Sequence, residues 1–232
     1  MTKPFWTDEQ VINQLNSGYW WDGPIITYTF PQNRSQIHFE NGEGVNFRPL
    51  TENQQYFAKI AIATWNDLIA PDIVLGPVGA SDLEFGNTLM LPNPDYAHAY
   101  YPPLGSIWFS SLHIDLMTPQ IGDHGFSTYI HEIGHALGLD HMGDYNGSDD
   151  DGPSSYQDST VLSVMSYYGP QLQRGNGDVM WGNWSHQADG HHYATQTPML
   201  NDILAIQAMY GAAITRTDDT TYGFGSTVQG DA

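Results

Sequence analysis

The sequence predicts an α/β (α+β) protein in which a mixed β-sheet and helices fill the first half and loops dominate the second. Three observations support this fold class. Apolar residues recur at helical spacing after two capping-box patterns, and short apolar runs between Gly, Pro and Asn suggest strands. Beyond residue 138 the chain is rich in Gly, Asp, Asn and Ser, with little periodicity until a last helical pattern.

Start and stop signals place the elements along the chain. Two capping boxes and one early proline mark helix starts at residues 7–10, 51–54 and 197–198. We expect these helices to end by Gly18, Pro71 and Gly211, because Gly favours a left-handed cap and Pro cannot continue a helix. Strands of a mixed sheet are expected at residues 25–30, 72–75, 83–85, 97–101 and 106–109.

The composition indicates one globular domain with a large acidic excess. Of 232 residues, 40% are hydrophobic and 13% aromatic, which is enough for a sizeable core. Lys and Arg total 6 against 26 Asp and Glu, so the formal net charge is −20. This charge argues against nucleic acid or an anionic membrane surface as partner. It favours a solvated acidic surface over the steering of cationic substrates, which stays an alternative.

The absence of cysteine excludes several chemistries. With 0 Cys, the chain has no disulfide, thiolate zinc ligand or cysteine nucleophile. No apolar stretch reaches the roughly 20 residues of a membrane span, so no membrane insertion is expected. The first residues lack the pattern of a cleavable signal peptide, and export would need another route.

An eleven-residue string, His-Glu-Ile-Gly-His-Ala-Leu-Gly-Leu-Asp-His, begins at His131 and points to a zinc peptidase. On a helix, His131 and His135 lie one turn apart on the same face, so both imidazoles can reach one ion. His141 would lie on the opposite side of a continuing helix, but Gly138 allows the chain to turn back. Three protein ligands leave the open position that catalytic zinc needs for water. Glu132 is left to act as the base.

A second signal is the string Ser-Val-Met-Ser-Tyr around Met165. Together with the first motif it resembles the metzincin clan of zinc endopeptidases, whose H-E-x-x-H-x-x-G-x-x-H pattern is followed by a methionine-containing turn (Met-turn). Within that clan the chain resembles the serralysins over nearly its whole length. The segments that carry this resemblance outside the two motifs are residues 18–23, 97–102, 143–146, 205–207 and 210–211.

The serralysin resemblance implies a fold and a function. Serralysins are secreted, cysteine-free, acidic bacterial peptidases with a five-stranded twisted sheet above the active-site helix. The expected organisation is a catalytic domain at 1–212, with subdomains at 1–138 and 139–212, and a tail at 213–232. The chain is expected to be a monomeric, secreted zinc endopeptidase that hydrolyses internal bonds of extended protein or peptide substrates. A proteinaceous inhibitor could be a further partner.

The resemblance also assigns roles residue by residue. The implied zinc ligands are His131, His135 and His141. The implied general base is Glu132, and the implied Met-turn residue is Met165. Glu132 would take a proton from a metal-activated water and deliver it to the leaving amine. Tyr167 matches a serralysin tyrosine that can bind zinc in the resting enzyme and stabilise the oxyanion with substrate. The alternative for Tyr167 is a packed aromatic residue.

A candidate substrate-binding strand precedes the zinc motif. It comprises Ala97, His98, Ala99 and Tyr100. In serralysins the matching edge strand pairs with the main chain of an extended substrate, which allows broad side-chain tolerance. An ordinary edge strand is an equal alternative.

The chain departs from the serralysin pattern at two places. Met142 replaces the proline that usually follows the third histidine, so a differently shaped loop is expected. The tail resembles the lead-in to a calcium-binding repeat domain, but the glycine-rich repeats do not appear. A weak or incomplete calcium site is therefore expected at Arg216, Asp218 and Thr220. Whether the chain is truncated or naturally short stays open.

Other candidate ligands have simpler interpretations. The acidic run at residues 149–151 lacks the spacing of a calcium loop and favours a solvated turn. The histidines outside the motif are interpreted as structural or surface residues, namely His38, His98, His113, His124, His186, His191 and His192. Two further functions stay open beside the endopeptidase: a zinc-containing binding module without catalysis, and a structural metal site whose loops carry a partner interface.

Overall fold

The computed structural model describes residues 3–89, 96–146, 152–169 and 194–215. These residues form one five-stranded sheet with helices packed against it, which confirms the predicted fold class. The strands are β1 (Ile25–Thr29), β2 (Asp72–Leu75), β3 (Leu83–Thr88), β4 (Ala97–Ala99) and β5 (Ser106–Ser110). The helices are α1 (Asp8–Leu15), α2 (Glu52–Asn66), α3 (Ile114–Met117), α4 (His124–Ala136) and α5 (Leu200–Tyr210), with a 3-10 turn at Arg34–Gln36.

The sheet is mixed, as expected, and its strand order is β2-β1-β3-β5-β4. The pairs β1–β2, β1–β3 and β3–β5 are parallel, whereas β4 runs antiparallel to β5. Every residue of β3 and β5 is buried, which fits strands covered on both faces. Strand β4 therefore forms one edge of the sheet, next to α4.

Both predicted capping boxes form. The Thr7 hydroxyl accepts from the Gln10 amide, and Thr51 and Gln54 make the equivalent pair of bonds at the start of α2. Helix α2 buries its apolar face against α4, where the indole of the fully buried Trp65 donates to the Ile130 carbonyl at 3.0 Å. This contact ties the longest helix to the helix that carries the zinc motif.

Element ends differ from the predictions by a few residues. Helix α2 ends at Asn66 rather than continuing to Pro71, and the Asn66 side chain accepts from the Ile73 amide at 2.5 Å. Helix α5 begins at Leu200 rather than at residue 198. The sequence also did not predict α3 or the 3-10 turn, because runs of three or four residues carry little periodicity.

The N-terminal segment and α5 satisfy the carbonyl groups at the end of α4. The indole of Trp21 donates to the Ala136 carbonyl at 2.9 Å, and the Tyr210 hydroxyl donates to the Leu137 carbonyl at 2.7 Å. The Ser17 hydroxyl donates to the Gly138 carbonyl at 2.6 Å. These bonds fix the point where the chain leaves the helix. No helix among the described residues is long and apolar enough to cross a bilayer.

Candidate metal centre

Helix α4 and the turn after it bring three histidines together. His131 and His135 lie one turn apart on α4, and Gly138 turns the chain with φ +99°. A Cβ atom at Gly138 would lie 2.0 Å from the Tyr19 carbonyl oxygen, so no other residue fits there. The turn returns His141 to the others, and one ligand nitrogen from each histidine lies within 4.8 Å of the rest.

The hydrogen bonds of these imidazoles fix their tautomers. Each Nδ1 lies within hydrogen-bonding distance of a backbone carbonyl; the three acceptors, at 2.8, 2.7 and 3.0 Å, are Val164, Leu139 and Tyr145. A carbonyl can only accept, so each Nδ1 carries the proton and each Nε2 keeps its lone pair. Backbone acceptors of this kind orient metal-binding histidines in proteins.

The charge state of the cluster favours a cation between the rings. Burial lowers the pKa of all three histidines, and that of His131 falls to about 3, so the imidazoles are neutral at neutral pH. The Nε2 atoms of His135 and His141 lie 3.1 Å apart without a proton between them. Three neutral imidazoles that direct lone pairs at one another fit zinc.

Glu132 is buried beside this cluster. Its side chain is only 5% exposed, and its Oε2 atom has no hydrogen-bond partner among the described residues. Burial raises the pKa of Glu132 to about 8, which makes its carboxylate a stronger base than an exposed glutamate. An unpaired carboxylate oxygen is costly inside a protein core, so such a group indicates a chemical role rather than a structural one.

The Met-turn packs directly beneath α4. Met165 is fully buried, and a Cβ atom at Gly134 would lie 2.6 Å from its sulfur atom, so the glycine inside the zinc motif gives the methionine its space. The buried Asp202 of α5 holds the same turn by accepting from the Ser163 hydroxyl at 2.6 Å and the Val164 amide at 2.7 Å. Helix α5 thereby positions the carbonyl that orients His131.

Met142, which follows His141 where the serralysin pattern has proline, packs against the Met-turn. It is fully buried, and its amide donates to the Met165 carbonyl at 3.1 Å. A proline has no amide hydrogen and could not make this bond. The substitution therefore links the segment after His141 directly to the Met-turn.

A network that the sequence did not predict joins His141 to Tyr167. Tyr145 supplies the carbonyl that orients His141, and its hydroxyl accepts from the Tyr167 amide at 3.2 Å. The Tyr145 hydroxyl in turn donates at 2.8 Å to Asp158, which is fully buried. Asp158 also accepts from the Ser166 hydroxyl at 2.7 Å. One carboxylate thus holds the two loops that carry His141 and Tyr167.

Two tyrosines line the approach to the histidines. The Tyr167 ring lies 4.6 Å from the His141 ring, and its side chain is 42% exposed. Tyr101 was not predicted as a site residue; its ring lies 5.8 Å from that of His135, and its hydroxyl donates to Asp140 at 3.0 Å. Tyr101 lies two residues after the end of β4, but no spacing rule connects it to the zinc motif.

The remaining predicted site residues have different outcomes. Ala97, His98 and Ala99 form the edge strand β4, and Tyr100 follows it. Within the described ranges, His131, His135 and His141 are the only group that could hold a metal ion, so His38, His98, His113 and His124 belong to no such cluster. The predicted calcium residues Arg216, Asp218 and Thr220, the acidic run 149–151, and His186, His191 and His192 lie outside the described residues.

Comparison with known proteins extends the similarity across the chain. No protein-family model matches it. The chain is 34% identical to Metalloprotease AprA of Pseudomonas entomophila, over 99% of this chain and 49% of that protein. It is 33% identical to Serralysin G of Dickeya chrysanthemi, over 97% and 49%, and 34% identical to Serralysin of Proteus mirabilis, over 87% and 43%. The chain thus spans about half the length of the curated relatives it matches.

The fold and the site define a class of protein. A five-stranded mixed sheet beside a helix that carries two of three clustered histidines is a metzincin-like arrangement. The curated relatives narrow this class. The chain is serralysin-like over nearly its whole length.

Proposed function

We propose that the chain is a secreted, zinc-dependent endopeptidase that hydrolyses internal peptide bonds, with Glu132 as general base. The observation that carries this proposal is the arrangement of three neutral imidazoles, directed at one point, beside a buried carboxylate oxygen that has no partner among the described residues. The similarity to proteins named metalloprotease and serralysin supports the same reaction class. A purely structural site would need a fourth ligand to close it.

The chain's own residues supply the proton transfers. Zinc held by His131, His135 and His141 would polarise the scissile carbonyl and acidify a water molecule. Glu132 accepts a proton from the attacking water molecule while the oxygen atom of that water bonds to the carbonyl carbon. Glu132 then donates that proton to the amine nitrogen as the peptide bond breaks. Tyr167, at the exposed side of His141, donates a hydrogen bond to the oxyanion that forms between these steps.

The register of β4 favours substrate binding at its open edge. The Ser110 amide donates to Tyr96 and the Tyr100 amide donates to Ser106, both at 3.0 Å, so alternate residues of this segment pair with β5. The backbone groups of Ala97 and Ala99 therefore face away from the sheet. An extended peptide could pair with them as an added strand, next to α4.

Further features of the proposal concern the whole protein. We propose that residues 1–138 and 139–212 act as the two subdomains of the catalytic domain, with 213–232 as a tail that binds calcium weakly. Protein or peptide substrates would pair with the open edge of β4, and a proteinaceous inhibitor would use the same edge. The serralysin likeness supports export.

Metal removal tests the proposal directly. We expect the zinc-loaded protein to cleave casein and quenched-fluorescence peptides, to lose this activity when zinc is chelated, and to regain it when zinc is restored. Metal analysis at each step measures whether activity follows zinc content. If the zinc-loaded protein cleaves neither substrate, the non-catalytic binding module replaces the endopeptidase as the better function. A large effect of added calcium would contradict the weak calcium site.

Replacing Tyr167 by Phe should reduce catalysis without emptying the metal site. The change removes only the hydroxyl, so we expect kcat to fall by about a hundredfold to a thousandfold, the range for loss of one oxyanion donor. Zinc content should stay unchanged, because three histidines still hold the ion. Steady-state kinetics beside Tyr56→Phe, which alters a tyrosine on the exposed face of α2, provides the control. An unchanged kcat would show that Tyr167 only packs.

A further inference from the structure

A buried carboxylate outside the metal centre contacts the edge strand. Glu43 lies in the loop before α2 and is only 4% exposed. Its Oε1 accepts from the Tyr100 hydroxyl at 2.5 Å and lies 3.0 Å from Nε2 of His98. Its Oε2 accepts from the amides of Glu40 and Asn41 at 3.2 and 2.8 Å. Both carboxylate oxygens are therefore engaged, one with the loop and one with the β4 segment.

These contacts reach one face of the strand only. His98 and Tyr100 are two residues apart and direct their side chains to Glu43, while Ala97 and Ala99 pack against the main core on the other face. The Tyr100 hydroxyl also accepts from the Asn41 side chain at 2.8 Å. The segment is therefore held between the core and this loop, and neither contact uses the backbone groups of Ala97 and Ala99, which point away from β5.

A short edge strand needs such support. Strand β4 has three residues and pairs with one neighbour, β5. So short a pairing is weak on its own. A peptide would bind more tightly if the backbone hydrogen-bonding groups of β4 were already held in an extended conformation. Polar contacts to a charged, buried group are stronger than contacts between neutral groups. Glu43 makes such contacts with His98 and Tyr100 and can therefore hold the β4 segment in its extended conformation.

We propose that Glu43 is a positioning residue for substrate binding: it fixes His98 and Tyr100 so that the backbone of Ala97 and Ala99 stays extended for an incoming peptide. This inference rests on the proposed endopeptidase function. Glu43 makes no contact with the histidine cluster in the described structure, so the chemical step does not depend on it.

The experiment compares two peptides that share one scissile bond, a long one that spans β4 and a truncated one. In zinc-loaded Glu43→Gln, we expect kcat/KM for the long peptide to fall about tenfold, mostly through KM, because ordered pairing with β4 is lost. For the truncated peptide the change should stay below about twofold, since it gains little from β4. Tyr100→Phe, which removes one hydroxyl, should change both values in the same direction but less.

The matched control is Glu84→Gln. Glu84 is also buried, at 7% exposure, but it lies on β3 and accepts from the His38 amide instead of contacting β4. Equal losses for both peptides in Glu43→Gln would show a general structural role, and no loss would remove Glu43 from substrate binding. Wild-type protein that cleaves neither peptide would contradict the proposed function instead. Hydrogen exchange then still tests the inference, because the Tyr100 amide should exchange faster in Glu43→Gln than in wild type or Glu84→Gln, and equal rates would overturn it.

Discussion

Replacing Glu132 by Gln is expected to lower kcat for peptide hydrolysis by about a thousandfold while zinc stays bound. Glutamine keeps the size of the side chain but cannot accept a proton from water. His131, His135 and His141 remain as ligands with their backbone acceptors unchanged. Stopped and continuous peptide assays measure the loss, and metal analysis of the same sample measures zinc occupancy.

Two observations distinguish a catalytic role of Glu132, as general base, from a purely structural role. The Oε2 atom of Glu132 has no partner among the described residues, so Glu132→Gln breaks no hydrogen bond at this atom, and thermal melting measures whether the fold is kept. Burial raises the pKa of this group to about 8, so the core favours its uncharged form, and a neutral amide matches that form in charge. Glu84→Gln again serves as the control. Activity that persists in Glu132→Gln would assign the base to another residue.

The second large effect is expected at Asp158. Its carboxylate accepts from the Tyr145 hydroxyl, the Ser166 hydroxyl and the Ser154 amide, at 2.8, 2.7 and 2.8 Å. All these partners are donors, and the amide group of an asparagine would direct a further donor at one of them. Because Tyr145 orients His141, we expect Asp158→Asn to weaken zinc binding by about tenfold to a hundredfold, the usual effect of losing an outer partner of a ligand.

Competition with a chelator of known affinity measures this change without any activity assay. Asp144→Asn provides the matched control, because Asp144 is an exposed acid in the same loop and its replacement removes the same charge. Glu43→Gln alters a buried acid far along the chain and should leave zinc affinity unchanged. Identical zinc affinity in Asp158→Asn and wild type would show that the loop holds His141 without this carboxylate.

Local rules explain why much of the metal centre could be predicted. The spacing of His131 and His135 follows from the helix repeat, and the turn at Gly138 follows from its tolerance of positive φ. In the structure the Gly138 amide donates to the backbone carbonyl of His135 at 2.8 Å, and the Leu139 amide donates to that of Gly134 at 2.9 Å. These two bonds close the helix in a Schellman motif. Such bonds join residues only a few positions apart, so their pattern can be recognised in one string.

The residues that prediction missed act over long sequence distances. Asp158 and Tyr145 meet through a loop whose polar composition shows no periodicity, and Glu43 meets Tyr100 although 57 positions separate them in the sequence. Gly134 was visible within the motif, but the reason that a glycine is required there is the sulfur atom of Met165, which occupies the space of a side chain. Each of these pairings requires that distant segments pack together first, and single residue types do not specify that packing.

The sequence by itself predicted the three clustered histidines, the acid next to them, the helix caps and the mixed α+β class, because each depends on side-chain chemistry or on contacts within a few residues. Tertiary structure decided the rest. The carbonyls of Val164, Leu139 and Tyr145 select the tautomer that directs each Nε2 inward, and two of them reach the histidines from loops that α5 and Asp158 hold. Burial then makes the imidazoles neutral and Glu132 basic, and burial is a property of the packed chain rather than of any string within it.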